Sequence, residues 1–238
     1  MGKLYCLGDS ITAGVPGASW CRYLNHRPLV QDGKGGDTVS GLRQRLKAYN
    51  PDPGATWVIE IGANDIMLPF LKTISADWQA GVTTMERKGL EISPDRDSFL
   101  MIYQEVLQSL KGARVLCVSI PCIGEDTSSS LNAQVDFYNQ GLAELCSQHG
   151  GNYVDFNGWQ KSAIQEHAPS QPHEPYFIQA ERYHMLLDII LCNGLRQTSR
   201  LSRRRQLATT VDGVHLNHHG AQNLARLVGE LTDSTEGK

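Results

Sequence analysis

Leu4-Tyr5-Cys6-Leu7-Gly8-Asp9-Ser10-Ile11-Thr12, close to the N-terminus, is the stretch on which the fold of this chain turns. Residues 4–7 form a short apolar run of the kind that makes a buried strand, and the run stops at a glycine. A serine is thus placed where a strand ends. In an α/β sheet, ligands collect outside the carboxyl ends of the strands, so a hydroxyl there is a candidate nucleophile. The same residues also suit a plainer role, with Ser10 or Asp9 as the N-cap of the next helix. The stretch alone leaves both readings open.

Working outward, strands are expected near residues 3–7, 28–31, 56–61, 113–119 and 152–156. Helices are expected over 18–26, 38–49, 95–111, 129–148 and 218–231. This alternation argues for a parallel sheet covered on both faces. In the second helix Val39, Leu42, Leu46 and Tyr49 recur at helical spacing, with Thr38 or Asp37 as its cap. Two segments exceed the simple core and are candidate lid or substrate-wall elements. Residues 66–94 contain Phe70, Trp78 and Met85 and are expected to add helical turns over the site. Residues 157–211 contain a polar stretch from Gln165 to Pro175, an apolar helical run from Tyr183 to Leu195, and a basic run from Arg196 to Gln206.

Three further segments supply the chemistry a serine nucleophile lacks. Asp212-Gly213-Val214-His215-Leu216-Asn217 places an acid three residues before a histidine, ahead of the last helix. Serine is weakly nucleophilic until a neutral imidazole takes its proton, and a carboxylate fixes the imidazole tautomer and stabilises the imidazolium. Acyl transfer also needs donors for the negative oxygen of a tetrahedral intermediate. Gly33-Lys34-Gly35-Gly36-Asp37-Thr38 is a glycine-rich turn whose bare backbone can approach a ligand. The strand Trp57-Val58-Ile59-Glu60-Ile61 is followed by Gly62-Ala63-Asn64-Asp65, which puts an amide side chain at a strand's carboxyl end.

Gly8-Asp9-Ser10, Gly36-Asp37-Thr38, Gly62-Ala63-Asn64-Asp65 and Asp212-Gly213-Val214-His215 together resemble the four sequence blocks of the SGNH, or GDSL, hydrolases, and they stand in that family's order. The resemblance runs from residue 8 to 215. It implies a three-layer αβα, flavodoxin-like fold with a five-stranded parallel sheet of order 2-1-3-4-5 and an insertion before the C-terminal catalytic block. It also implies Ser10 as nucleophile, His215 as general base and Asp212 as its orienting acid. The backbone N–H groups of Ser10 and Gly36 and the side-chain amide of Asn64 would form the oxyanion hole. The chain departs from the family pattern at Ile11, where leucine is commoner, and at Ala63, where a second glycine is frequent. Neither position carries an atom of the chemistry.

Composition is that of an ordinary globule, 238 residues with 40% hydrophobic and 20% charged. Because the expected nucleophile and base come from opposite ends, the whole of 1–238 is expected to form one domain. A formal net charge of −3 gives no general attraction to nucleic acid. No apolar stretch approaches the ~20 residues needed to span a bilayer. The first strand begins almost at Met1, which leaves no room for a signal peptide. The six cysteines are scattered, with no Cys-x-x-Cys, and three lie in apolar runs as expected of reduced core residues. A cytoplasmic location follows, with export the alternative if a leader has been removed. The expected reaction is hydrolysis of a small-molecule, carbohydrate or lipid ester, with no cofactor and no nucleic-acid partner.

Competing readings are specific. His215, His218 and His219 resemble a metal-ligand cluster, although the spacing identifies no further ligand; His218 otherwise begins a helix capped by Asn217. His167, His173 and His184 are expected on the surface or a lid. Trp78, Tyr176, Phe177 and Tyr183 suit either an acyl pocket or the core. Arg196, Arg200, Arg203, Arg204 and Arg205 read as a solvated run, or as a basic edge that meets an anionic group. A flavodoxin-like binding module would use the glycine turns for a phosphate but leaves Asp212 and His215 without a purpose. A catalytically silent relative that binds glycans or a partner protein would have lost one of the blocks, and none is lost.

Overall fold

Leu4–Gly8 (β1) pairs in parallel with Leu29–Gly33 (β2) on one side and with Thr56–Glu60 (β3) on the other, Leu7 lying opposite both Asp32 and Ile59. Arg114–Val118 (β4) and Asn152–Val154 (β5) extend the sheet beyond β3, giving the order β2-β1-β3-β4-β5. This is the expected 2-1-3-4-5 order. The computed structural model describes residues 2–25, 28–167 and 182–233. His173, Tyr176, Phe177 and most of the polar stretch 165–175 lie outside the described residues.

The central strands are mostly apolar on both sides because both faces are covered. Leu4, Cys6, Leu7, Trp57, Val58, Ile59, Leu116, Cys117 and Val118 have no exposed surface. Each such Leu, Ile or Val side chain contributes roughly 1.5–3 kcal/mol on burial. All six cysteines are buried thiols.

The helices start where the sequence offers a cap. Val39–Leu46 (α2) is capped by Thr38, Arg96–Ser109 (α5) by Asp95 and Ser130–Gln148 (α6) by Ser129, each side chain accepting an N–H three residues on. In His218–Asp233 (α10), the Gly220 N–H donates to Asn217 Oδ1 at 3.0 Å, so Asn217 is the cap foreseen. α2 is shorter than expected, since Lys47 to Tyr49 continue it only with i→i+3 bonds. The expected helix over 18–26 is a single 3₁₀ turn at Trp20–Tyr23. Tertiary bonds win there: Ala18 N–H donates to Leu216 O, Ser19 Oγ donates to Thr12 O, and Trp20 is fully buried.

Residues 66–94 do supply helix. Ala63–Ile74 (α3) and Ala76–Arg87 (α4) pack on one another, and Trp78 is buried in the core. The second long segment contains Phe156–His167 (α7), Tyr183–Ile189 (α8), a π-helical turn Ile190–Gly194 continuous with it, and Thr198–Arg204 (α9).

Candidate active site

β1 ends at Gly8, and the next two residues serve both readings of the opening stretch. Asp9 is the N-cap: its Oδ1 accepts the Ile11 N–H at 2.8 Å and opens the four-residue helix Ser10–Ala13 (α1). Ser10 is the first residue of that helix, where its own N–H has no intrahelical partner. The cap and the candidate nucleophile are therefore adjacent residues, not rivals for one role.

Tertiary folding brings the C-terminal block to this point. His215 Nε2 lies 2.9 Å from Ser10 Oγ, and His215 Nδ1 lies 2.7 Å from Asp212 Oδ2. The other Asp212 oxygen accepts the N–H groups of Val214 and His215 at 3.0 and 2.8 Å. With Nδ1–H given to the carboxylate, Nε2 faces the serine as an acceptor, the tautomer needed to take its proton. Ser10 keeps 9% of its surface exposed and His215 only 3%. Burial by itself pushes the imidazole down, but the charge and hydrogen bond of Asp212, then the charges of Asp9 and Asp188, outweigh it and hold His215 above its ordinary 6.5. For Asp212, burial works upward, and the charge and hydrogen bonds of His215 outweigh it, so its carboxyl stays below the usual range.

Asn64 ties the first three blocks together. It is the second residue of α3, and its Nδ2 donates to the Asp37 carbonyl at 2.8 Å and to Asp9 Oδ2 at 3.3 Å. Gly36, in the turn after β2, has φ of 71°, and a side chain built there would begin 2.8 Å from the Met85 methyl of α4. That backbone needs glycine. The Gly36 N–H makes no hydrogen bond among the described residues. The Gly36 N–H is thus unspent on the protein, as an oxyanion donor must be, whereas the Asn64 amide reaches an oxyanion only by giving up its bond to Asp37 or to Asp9.

Several buried charges that hold these loops were not foreseen from sequence. Arg45 on α2 donates to Gly8 O at 2.8 Å, to Asp32 O at 3.1 Å and to Asp37 Oδ2 at 2.8 Å, clamping the carboxyl ends of β1 and β2. Asp65 accepts the Val39 N–H at 3.0 Å and the Ser93 N–H at 3.2 Å. Burial pushes its carboxyl up to about 6 and that of Asp9 up to about 7, and burial with the charge of Asp9 raises Glu60 well above the ordinary value. Glu125, in the loop after β4, accepts five hydrogen bonds from Ala208, Thr209 and Thr210, just ahead of Asp212. The Gly124 N–H donates to Gly213 O at 2.7 Å. Asp9 and Asp65 stand inside the sequence blocks and so carried a signal. Glu125 and Arg45 carried none.

Arg205 corrects the reading of the basic run. Its guanidinium makes a fork onto Asp188 at 2.7 and 2.8 Å and donates to Val211 O at 2.6 Å, beside Asp212. Arg196, Arg200, Arg203 and Arg204 remain exposed. The histidine cluster also separates. His218 Nδ1 meets the Tyr23 hydroxyl at 2.6 Å, and His219 packs edge-on against Trp159, so neither turns toward His215 to share a ligand. Among the described residues no three His, Cys, Asp or Glu side chains gather as a metal site. His167 is exposed and His184 half-buried.

The family model described as the GDSL-like lipase/acylhydrolase family matches residues 6–223. Among solved structures, a member of the lipolytic protein G-D-S-L family from Veillonella parvula DSM 2008 is 16% identical with a TM-score of 0.60, covering 97% of this chain and 98% of that one. The acetyl xylan esterase AlAXEase is 18% identical with a TM-score of 0.61, covering 96% and 98%. Axe2, an acetylxylan esterase from Geobacillus stearothermophilus, is 18% identical with a TM-score of 0.58, covering 95% and 92%. At these identities the likeness is one of fold. No curated protein sequence matches the chain.

Proposed function

The chain belongs to the GDSL-like lipase/acylhydrolase family, and we propose that within it the protein hydrolyses carboxylic esters through an acyl-enzyme formed on Ser10. The observation that carries this reading is the unbroken line of hydrogen bonds from Asp212 through His215 to Ser10 Oγ, at 2.7 and 2.9 Å. Ser10 Oγ attacks the ester carbonyl while His215 Nε2 takes its proton. The new C–O bond leaves a tetrahedral oxyanion, which the N–H groups of Ser10 and Gly36 and the Asn64 amide receive. His215 then protonates the departing alcohol as the C–O bond to it breaks. Water, deprotonated by His215, attacks the acyl-enzyme, and the proton returns to Ser10 as the acid leaves.

Residues 1–238 are proposed to act as one catalytic unit, since Ser10 and His215 are contributed by the two ends of the chain. The substrate class is proposed as an ester of a small alcohol, a carbohydrate or a lipid. Acetylxylan esterases of the same fold favour including acetylated sugars in the first panel tested.

The decisive experiment is Ser10→Ala, assayed on p-nitrophenyl esters of increasing chain length and paired with fluorophosphonate labelling. A loss of at least ~10³-fold in turnover is expected, with the probe attached to Ser10 in the native protein. Full activity in the variant, or labelling at another residue, overturns the assignment.

A further inference from the structure

The helical rod Tyr183–Gly194, formed by α8 and its π turn, is amphipathic in reverse. Tyr183, Leu186, Leu187 and Ile190 recur at i, i+3, i+4 and i+7, the spacing of a buried stripe, yet they are 53, 59, 47 and 48% exposed. The opposite side of the rod carries the buried charge, Asp188, held by Arg205. Leu195, 59% exposed, extends the apolar stripe past the end of the rod.

A basic rim follows at once. Arg196, Arg200, Arg203 and Arg204 are exposed and form no salt bridge among the described residues. Residues 182–207 contain six arginines and one acid, Asp188, in a chain whose net charge is −3. The rest of the molecule therefore carries the acidic excess, so positive charge is concentrated in the segment that holds the rod and the turns next to it.

We propose that this face docks on an anionic lipid surface, with the apolar stripe seated at the level of the acyl chains and the arginines among the headgroups. The two halves of the surface select that occupant together. Large apolar side chains gain by leaving water for the acyl boundary, while arginines beside them meet negative headgroups and can snorkel. A second copy of the chain fits poorly, because a two-fold contact would bring two arginine rims together. A nucleic acid would use the rim and leave the apolar stripe in water.

The rod is fastened to the catalytic loops. Asn193 Nδ2 donates to Gly14 O at 2.8 Å and Gly17 O at 3.1 Å, in the loop that follows Ser10. Arg205 joins Asp188 to the Val211 carbonyl next to Asp212. Docking by the rod thus brings the Ser10 and His215 loops close to the lipid surface. The inference goes beyond ester hydrolysis and does not depend on it.

Vesicle flotation with the full chain tests it, comparing pure phosphatidylcholine with mixed phosphatidylcholine and phosphatidylglycerol vesicles. Binding to the mixed vesicles is expected to be at least about 10-fold tighter and to weaken as salt is raised. Leu186→Gln with Ile190→Gln should cost about 10-fold on the mixed vesicles. Arg200→Ser with Arg203→Ser and Arg204→Ser should remove most of the anionic preference, bringing binding to the mixed vesicles down to near the level of pure phosphatidylcholine at low salt. Circular dichroism melting of each variant confirms its fold. The readout needs no turnover, so an inactive Ser10→Ala protein must bind vesicles as the native protein does. Absence of binding to either vesicle overturns the proposal, as does binding that both variants retain. Self-association that Leu186→Gln with Ile190→Gln abolishes, in a protein that ignores vesicles, assigns the face to a second copy instead.

Discussion

His215 Nε2 and Ser10 Oγ lie 2.9 Å apart although 205 residues separate them in sequence. Each is delivered by a loop at the carboxyl edge of the sheet, and each loop is anchored by buried charge: Arg45 on the carbonyl of Gly8, and Glu125 and Arg205 on the segment around Asp212. The contact is thus held by groups that stand outside the Asp212–His215–Ser10 line itself.

Asn64→Ala should lower turnover roughly 10²- to 10³-fold with little change in the Michaelis constant, because its amide is assigned to charge that develops only in the transition state. Steady-state kinetics on a soluble p-nitrophenyl ester separate the two constants. An unchanged turnover with a raised Michaelis constant would move Asn64 to ground-state binding.

Activity should rise with pH with a midpoint above 6.5. The proposed mechanism needs neutral His215, and the Asp212, Asp9 and Asp188 charges stabilise its protonated form enough to outweigh burial. Asp9→Asn removes one of those charges. The midpoint of the kcat/KM profile should therefore move to lower pH, and a shift the other way would exclude Asp9 as an influence on His215.

Glu125→Ala should destabilise the fold by about 3 kcal/mol or more, since five donors lose a charged acceptor in a buried setting. Four of the five bonds converge on Oε1. Glu125→Gln can keep that oxygen as carbonyl, so its cost should be nearer 1 kcal/mol. Urea denaturation of the two variants measures the ordering, and equal costs would contradict it.

Arg205→Ser should cost about 3 kcal/mol, because Asp188 is left buried without its partner. Arg203→Ser and Arg204→Ser, at exposed positions, should each stay within about 0.5 kcal/mol. Thermal or denaturant melts of the three single variants distinguish an anchor from a rim that composition alone does not separate.

The sheet order and the residues that meet at the candidate site were both legible in the sequence. Strands buried on both faces must be largely apolar, so Leu4 to Leu7, Trp57 to Ile59 and Val115 to Val118 announce themselves. The chemistry-bearing residues follow those runs because the carboxyl edge is where loops meet. Local signals also sufficed for caps such as Thr38 and Asn217, whose side chains bond within three residues. Tertiary structure decided whatever depends on partners remote in the chain. Residues 18–26 could not be seen as a single 3₁₀ turn, because the bonds that hold them come from Thr12 and Leu216. Arg205 could not be told from Arg203 and Arg204, since only the fold places Asp188 and the Val211 carbonyl within its reach. Tyr183 to Leu195 has a helical apolar pattern in sequence, and that pattern is indifferent to which side faces water. Only the fold shows that Asp188 is the buried side, paired with Arg205, and that Tyr183, Leu186, Leu187 and Ile190 face outward.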